Sequence, residues 1–191
     1  MTSPERKIAQ FLQEARATER GLTRVLESQI ALVPGGDYRR ELQLHLRQTR
    51  EHTHSLRRRL DRLGGDRTSL ERFVGGVVRR CVGVATFPLT FWRSSSEPEQ
   101  VLRNAQEACA AEAHGIATYT AIERLARRAG DDETADLAHA IRDHQEQMFA
   151  RLQAQLPPLT DAMVASDIDV CANHRNVPAV EGEPSGDRVA H

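Results

Sequence analysis

The sequence predicts an all-α fold: four long helices closed into a bundle, with one long crossover at its centre. Three observations carry that prediction. Ala, Leu, Glu and Arg dominate a chain of 191 residues with only 4% aromatics, a composition that favours helix over sheet. Apolar residues recur with helical period over four stretches, each bounded by proline, glycine or a run of acids. Tight turns join the first stretch to the second and the third to the fourth, whereas residues 66–95 separate the second from the third.

Ser3-Pro4-Glu5 is a helix start, with an N-cap, a first-turn proline and an acid at the positive end of the dipole. The first helix is expected to run to about Val33, where Pro34-Gly35-Gly36 stops it. Its apolar face is Ile8, Phe11, Leu12, Ala15, Leu22, Val25, Leu26 and Ile30, and Glu19 falls inside the same sector. Asp37 caps the second helix, which ends at Gly64-Gly65. Its inward sector holds Leu42, His45, Leu46, Thr49, His52, Thr53, Leu56, Leu60 and Leu63. Glu51-x-x-His54 has the spacing of a carboxylate and imidazole that share a metal. The wheel puts Glu51 about 180° from Leu42 and Leu60, with His54 nearly as far round, so both belong on the wet face.

Residues 66–95 form an apolar crossover holding most of the aromatics, read as a short helix over Ser69–Val82 and an extended piece broken at Pro88. It is expected to cover the side of the bundle or a dimer seam; contact with a membrane surface through residues 70–92 is the alternative. Ser96 and Glu99 make a capping box at the head of the third helix, which ends at Gly130. Glu112 sits on its apolar sector with Val101, Ala105, Ala108, Ile116 and Tyr119. Asp131-Asp132-Glu133 opens the fourth helix, which buries Thr134, Leu137, Ile141, His144, Gln145, Met148 and Leu152 and is expected to stop at Pro157-Pro158. The bundle is thus 1–158. Residues 159–191 read as a largely disordered tail, with a brief helical turn to Ile168 before periodicity ends.

Several function classes are excluded or disfavoured. No run of about 18 uncharged apolar residues reads as a membrane span, and MTSPERKIAQ lacks the apolar core of a signal peptide. Three widely spaced cysteines (Cys81, Cys109, Cys171) fit reduced thiols in a cytoplasmic protein. Residues 1–94 carry 18 Lys/Arg against 10 Asp/Glu, and residues 95–191 carry 8 against 17. The basic residues are interleaved with acids on helical faces, so a basic half packed beside an acidic half, in one chain or across a dimer, is favoured over nucleic-acid binding. No Gly-rich phosphate loop of Walker or Rossmann form is present, and Ser94-Ser95-Ser96 is a capping run rather than a nucleophile elbow.

Each helix carries one inward polar residue at mid-height: Glu19, His52 (with His45 and Thr49 as weaker candidates), Glu112 and His144. An acid in an apolar stripe is costly unless something holds it there. In carboxylate di-metal bundles two helices each give a Glu and two each give Glu-x-x-His. Glu19 and Glu112 fit the first kind. The second helix reads Thr49-x-x-His52 and the fourth His144-x-x-Gln147. The cofactor expected from this donor set is iron, mono- or dinuclear, or none. No catalytic residue is assigned, and whether the chain is an enzyme stays open. In the competing reading these residues form a buried ion-pair network that fixes helix register in a non-catalytic interaction protein. Tyr119 is read as core packing with its hydroxyl satisfied, and Cys109 as a small apolar filler.

The segments LQEARATERGL, HLRQTREHTHSLRRRLDRLGG and VLRNAQEACAAEAHGIATYTAIERLARRAGDDETADLA resemble the ferritin-like stress-associated proteins of the YciE/YciF type. The resemblance spans residues 7–157 and is closest at EAHGIATY. It implies a ferritin-like fold, a homodimer, a metal centre at Glu19, His52, Glu112 and His144, and a role in oxidative stress or iron handling. His144 stands where the family pattern calls for an acid.

Overall fold

The helix ends follow from local chemistry. In the computed structural model, which describes residues 3–64 and 97–175, the helices are α1 (Ser3–Leu32), α2 (Asp37–Arg62), α3 (Glu97–Ala129) and α4 (Asp132–Arg175). Two ends need glycine: Gly64 and Gly130 take φ of 66° and 71°, the left-handed conformation in which a Cβ is penalised. At the second, the Asp131 N–H reaches back to the Ala126 carbonyl at 3.0 Å, closing α3 before α4 begins.

The helices pair as two antiparallel hairpins, α1 with α2 and α3 with α4, stacked so that α1 meets α3 and α2 meets α4. The C-terminal end of α2 lies against the α3–α4 turn, where Arg59 Nη2 donates to Asp131 Oδ1 at 2.6 Å. α2 and α3 therefore run the same way, so the end of α2 and the start of α3 lie toward opposite ends of the bundle, whose length along α2 is about 39 Å for 26 helical residues at 1.5 Å each. This is a ferritin-like four-helix bundle.

Two apolar clusters fill the interior. One, toward the α3–α4 turn, contains Ile8, Leu12, Leu56, Leu60, Tyr119, Ile122 and Ile141. The other, toward the α1–α2 turn, contains Leu26, Tyr38, Leu42, Met148 and Leu152. Between them lies a buried polar layer: Glu19, His45, Thr49, His52, Glu112 and Gln145. Glu51 and His54 are exposed, as the wheel requires.

Three expectations change. Val25 is 39% exposed, at the edge of the α1 stripe rather than within it. α4 does not stop at Pro157-Pro158 but continues to Arg175, so part of the expected tail is helix. Proline removes an N–H and crowds the carbonyl four residues back. Here both prolines and the residues Gln153 and Ala154 before them are exposed, so water can satisfy the carbonyls that lose a donor. Leu156 and Leu159 pack on the core on either side and keep the axis continuous. Finally, the first helical residue of α2 is Asp37, with Gly36 as its cap. The crossover, the Ser69–Val82 helix and Ser96 lie outside the described residues. Among the described residues no helix is long and apolar enough to cross a membrane.

Candidate metal centre

The polar layer takes one or two side chains from each helix. Glu19 comes from α1, His45, Thr49 and His52 from α2, Glu112 and Tyr119 from α3, and His144 and Gln145 from α4. Positions 45, 49 and 52 lie one turn apart, so they share a face of α2.

Two groups form within the layer. In one, Glu112 Oε1 lies 2.5 Å from His45 Nε2, with both side chains almost fully buried. The approach is close but poorly aligned: Glu112 Oε1 makes no hydrogen bond, and neither does His45 Nδ1. In the other, Glu19 Oε1 accepts from the Tyr119 hydroxyl at 2.8 Å and from Gln145 Nε2 at 3.2 Å. Glu19 Oε2 is buried with no partner. His52 Nδ1 stands 3.7 Å from Glu19 Oε1, and its Nε2 is 3.2 Å from His144 Nδ1. The two imidazoles meet edge to edge and nearly coplanar, with centroids 5.5 Å apart and planes 12° from parallel. One of these two facing nitrogens must carry the proton that joins them.

Tyr119 is held as a neutral donor. Burial pushes its hydroxyl well above the usual phenol value, and the charge of Glu19 adds to the effect. Gln145 is seated by Gly115, because a Cβ at that position would overlap the Gln145 carboxamide. Burial raises the half-buried Cys109 thiol too, with Glu112 contributing, in keeping with an apolar filler.

All six candidates from the sequence enter the layer. Glu19, His52 and His144 come together, as do His45 and Glu112, and Thr49 lines the space between the groups. His45, the weaker candidate, is the residue closest to Glu112. Gln147 is exposed, and the polar residue α4 adds to the layer beside His144 is Gln145. Two partners of Glu19 were not legible as such: Tyr119 was read as packing and Gln145 only as buried. The spacing Gly115–Tyr119, with the glycine on the buried face, is the one sequence signal that points to a second-layer contact there.

The donor set, two carboxylates and three imidazoles, suits a hard or intermediate transition ion. The Glu19 Oε2 oxygen and the His45 Nδ1 nitrogen are not consumed by protein contacts. As the side chains stand, the space enclosed by His45, Thr49, His52, Glu112, His144 and Gln145 is too small for a water-sized sphere. Among the described residues no three His, Cys, Asp or Glu side chains converge on one point. Holding an ion therefore requires Glu112 to turn from His45, or Glu19 to present its free Oε2.

A family model described as a domain of unknown function, DUF892, matches residues 3–165. The chain belongs to the DUF892 family. Among solved structures, this DUF892 protein is similar to one from Xanthomonas campestris, with TM-score 0.68 at 18% identity, covering 87% of this chain and 99% of that one. It is also similar to YcfI, a proposed structural protein from Rhodopseudomonas palustris, with TM-score 0.61 at 16% identity, covering 80% of this chain and 94% of that one. At these identities the likeness concerns the fold. A comparison with curated proteins finds no match.

Proposed function

We propose that this DUF892 protein is a metal-binding bundle of the YciE/YciF type, in which Glu19, Glu112, His45, His52 and His144 hold iron, with a role in oxidative-stress or iron handling. One observation carries the reading: four helices bring two buried carboxylates and three imidazoles to one level between two apolar clusters, with the Glu19 Oε2 oxygen left unpaired. An unpaired buried carboxylate oxygen costs about 1–3 kcal/mol or more, a cost that a cation offsets. Iron in such a layer would supply one-electron chemistry with dioxygen or peroxide. The chain's own share is to hold the carboxylates, keep the Tyr119 proton on its oxygen and exclude bulk water. Elemental analysis of protein grown with iron, followed by anaerobic ferrous titration, tests it. The expected result is bound transition metal in the native protein and none in Glu112→Ala; no metal and no ferrous uptake in either would overturn it.

A second reading is favoured by a different observation. The donors already contact one another, His45 with Glu112 and His52 with His144 and Glu19, so the layer can serve as a register-fixing network in a non-catalytic scaffold. The description of YcfI as a proposed structural protein points the same way. In this reading Glu19→Ala with Glu112→Ala leaves the biological role intact, while polar substitutions at Phe87 or Trp92 in the apolar crossover abolish binding to a partner or membrane surface. Self-association as a homodimer belongs to both readings.

A further inference from the structure

Outside the polar layer, an open cleft of about 310 Å³ lies on the α1–α2 hairpin, lined by Arg20, Thr23, Arg24, Glu27, Arg50 and Thr53. Arg20, Thr23, Arg24 and Glu27 form one stripe of α1, and Arg50 and Thr53 form the facing stripe of α2. The lining charges are three guanidiniums and one carboxylate. Arg50 spends part of its fork on Glu27 at 2.7 Å, with both side chains about half exposed. Arg20 and Arg24 have no carboxylate partner among the described residues. On the other hairpin Arg103, Arg127 and Arg142 each hold at least one acid, while Arg124 and Arg128 hold none among the described residues; what sets Arg20 and Arg24 apart is that they share one cleft with Arg50.

The unpaired positive charge continues beyond the cleft. Burial depresses the Arg16 guanidinium below its ordinary value, and repulsion from Arg20 and Arg57 adds to this, with only Asp61 opposing. Arg16 Nε and Thr53 Oγ1 are buried without hydrogen-bond partners. Like charges gathered beside unpaired donors are destabilising unless an anion joins them. No aromatic side chain lines the cleft, so nothing there stacks a base.

We infer that this cleft is a binding site for a compact oligophosphate, a di- or triphosphate group held by Arg20, Arg24 and Arg50. Guanidinium forks match phosphate oxygens two at a time, and the net positive lining calls for a multiply charged anion. The site shares no lining residue with the polar layer and does not depend on whether that layer binds metal. The phosphate chain is recognised whether free or attached to a nucleoside.

Calorimetric titration of the full chain in metal-free, low-salt, phosphate-free buffer tests this. Inorganic tripolyphosphate and adenosine triphosphate should bind saturably and with similar affinity. Citrate of comparable charge should bind much more weakly. Arg20→Gln and Arg24→Gln should each lower the affinity for tripolyphosphate by about tenfold or more, as expected for the loss of one charge-assisted contact. Arg58→Gln, an exposed change away from the cleft, should leave it alone. All three variants alter surface residues, and circular dichroism checks that each is folded. Equal affinity in the wild type, Arg20→Gln and Arg24→Gln would overturn the assignment. So would adenosine triphosphate binding with no tripolyphosphate binding, which would require a base pocket. Affinity that grows with oligonucleotide length in the absence of tripolyphosphate binding would give the surface to nucleic acid instead. A change of oligomeric mass in Arg24→Gln with no heat from either anion would give it to the acidic face of a second copy.

Discussion

Gly115 sits inside a 33-residue helix, where glycine costs about 1 kcal/mol relative to alanine. The gain from replacing it is blocked by one neighbour: the new Cβ would land on the Gln145 carboxamide. That carboxamide is the far end of a flexible side chain and can move, but doing so gives up its hydrogen bond to Glu19, a loss of about 1–3 kcal/mol for a buried acceptor. Gly115→Ala should therefore fail to stabilise the wild-type protein. In a Gln145→Ala background it should stabilise by about 1 kcal/mol. Urea unfolding of the four proteins in this cycle gives the coupling, and additivity would show that Gln145 is not seated by Gly115. At this scale the sequence was informative in one respect only. The helical wheel placed Gln145 and Tyr119 in buried sectors, but a wheel describes a single helix, and it cannot say that both side chains reach across to the same oxygen of Glu19.

Between elements, the strongest polar tie is the one that fastens the end of α2 to the α3–α4 turn. Arg59 donates to Thr134 Oγ1 at 2.7 Å, to Glu133 Oε2 at 2.5 Å and to Asp131 Oδ1 at 2.6 Å. Asp131 in turn caps α4 through the Thr134 N–H at 3.0 Å. Arg59→Ala removes all three contacts, while Asp131 keeps its bonds from Thr134 and Glu133 stays beside Arg62, so the cost should be about 1–3 kcal/mol, measurable by thermal or denaturant unfolding. The tie also has a pH signature. Burial pulls the Asp131 carboxyl up, but the bonds from Thr134 and Arg59 outweigh it and hold the group below its ordinary value. A depressed carboxyl contributes stability that is present above the unfolded value, about pH 4, and is lost as the pH falls through the lower folded value. Asp131→Asn should accordingly be less stable near neutrality and lose less on acidification, as followed by circular dichroism. An unchanged acid slope in that variant would remove Asp131 from the acid response. The helices were legible in the sequence because proline, glycine and acid runs mark their ends. The α4 boundary was misread because the residues before the prolines are open to water and Leu156 and Leu159 hold the helix to the core, which offsets the cost of the proline pair, and exposure on the finished bundle cannot be read from the chain. Arg59 was missed for a similar reason. It lies one turn after Leu56 and next to Leu60, on the buried side, and the acids that justify its burial are on another hairpin.

For the whole molecule, what matters is that two dry clusters are separated by a layer to which all four helices contribute. The stacking of the hairpins brings His45 and His52 opposite Glu112 and His144, and no single helix holds the set. The number and height of the polar positions were legible from periodicity alone. Their grouping into His45–Glu112 and Glu19–His52–His144 was not, because it depends on the rotation of each helix about its axis after packing. A ligand spanning all four helices binds the folded state and has no comparable site in the unfolded chain, so its binding energy adds to stability. At a free-ion concentration a hundredfold above Kd the gain is about 2.7 kcal/mol, and at about 2–4 °C per kcal/mol for a chain of this size it should raise the melting temperature by about 5–10 °C. Under anaerobic conditions ferrous ion should produce that shift in the wild-type protein. In Glu19→Gln with Glu112→Gln, which keeps volume and hydrogen bonding while removing both anionic ligands, the shift should vanish. A melting temperature indifferent to iron in the wild type, or an equal shift in both proteins, would mean that the layer holds the helices in register by its own contacts and that any iron taken up sits elsewhere on the molecule.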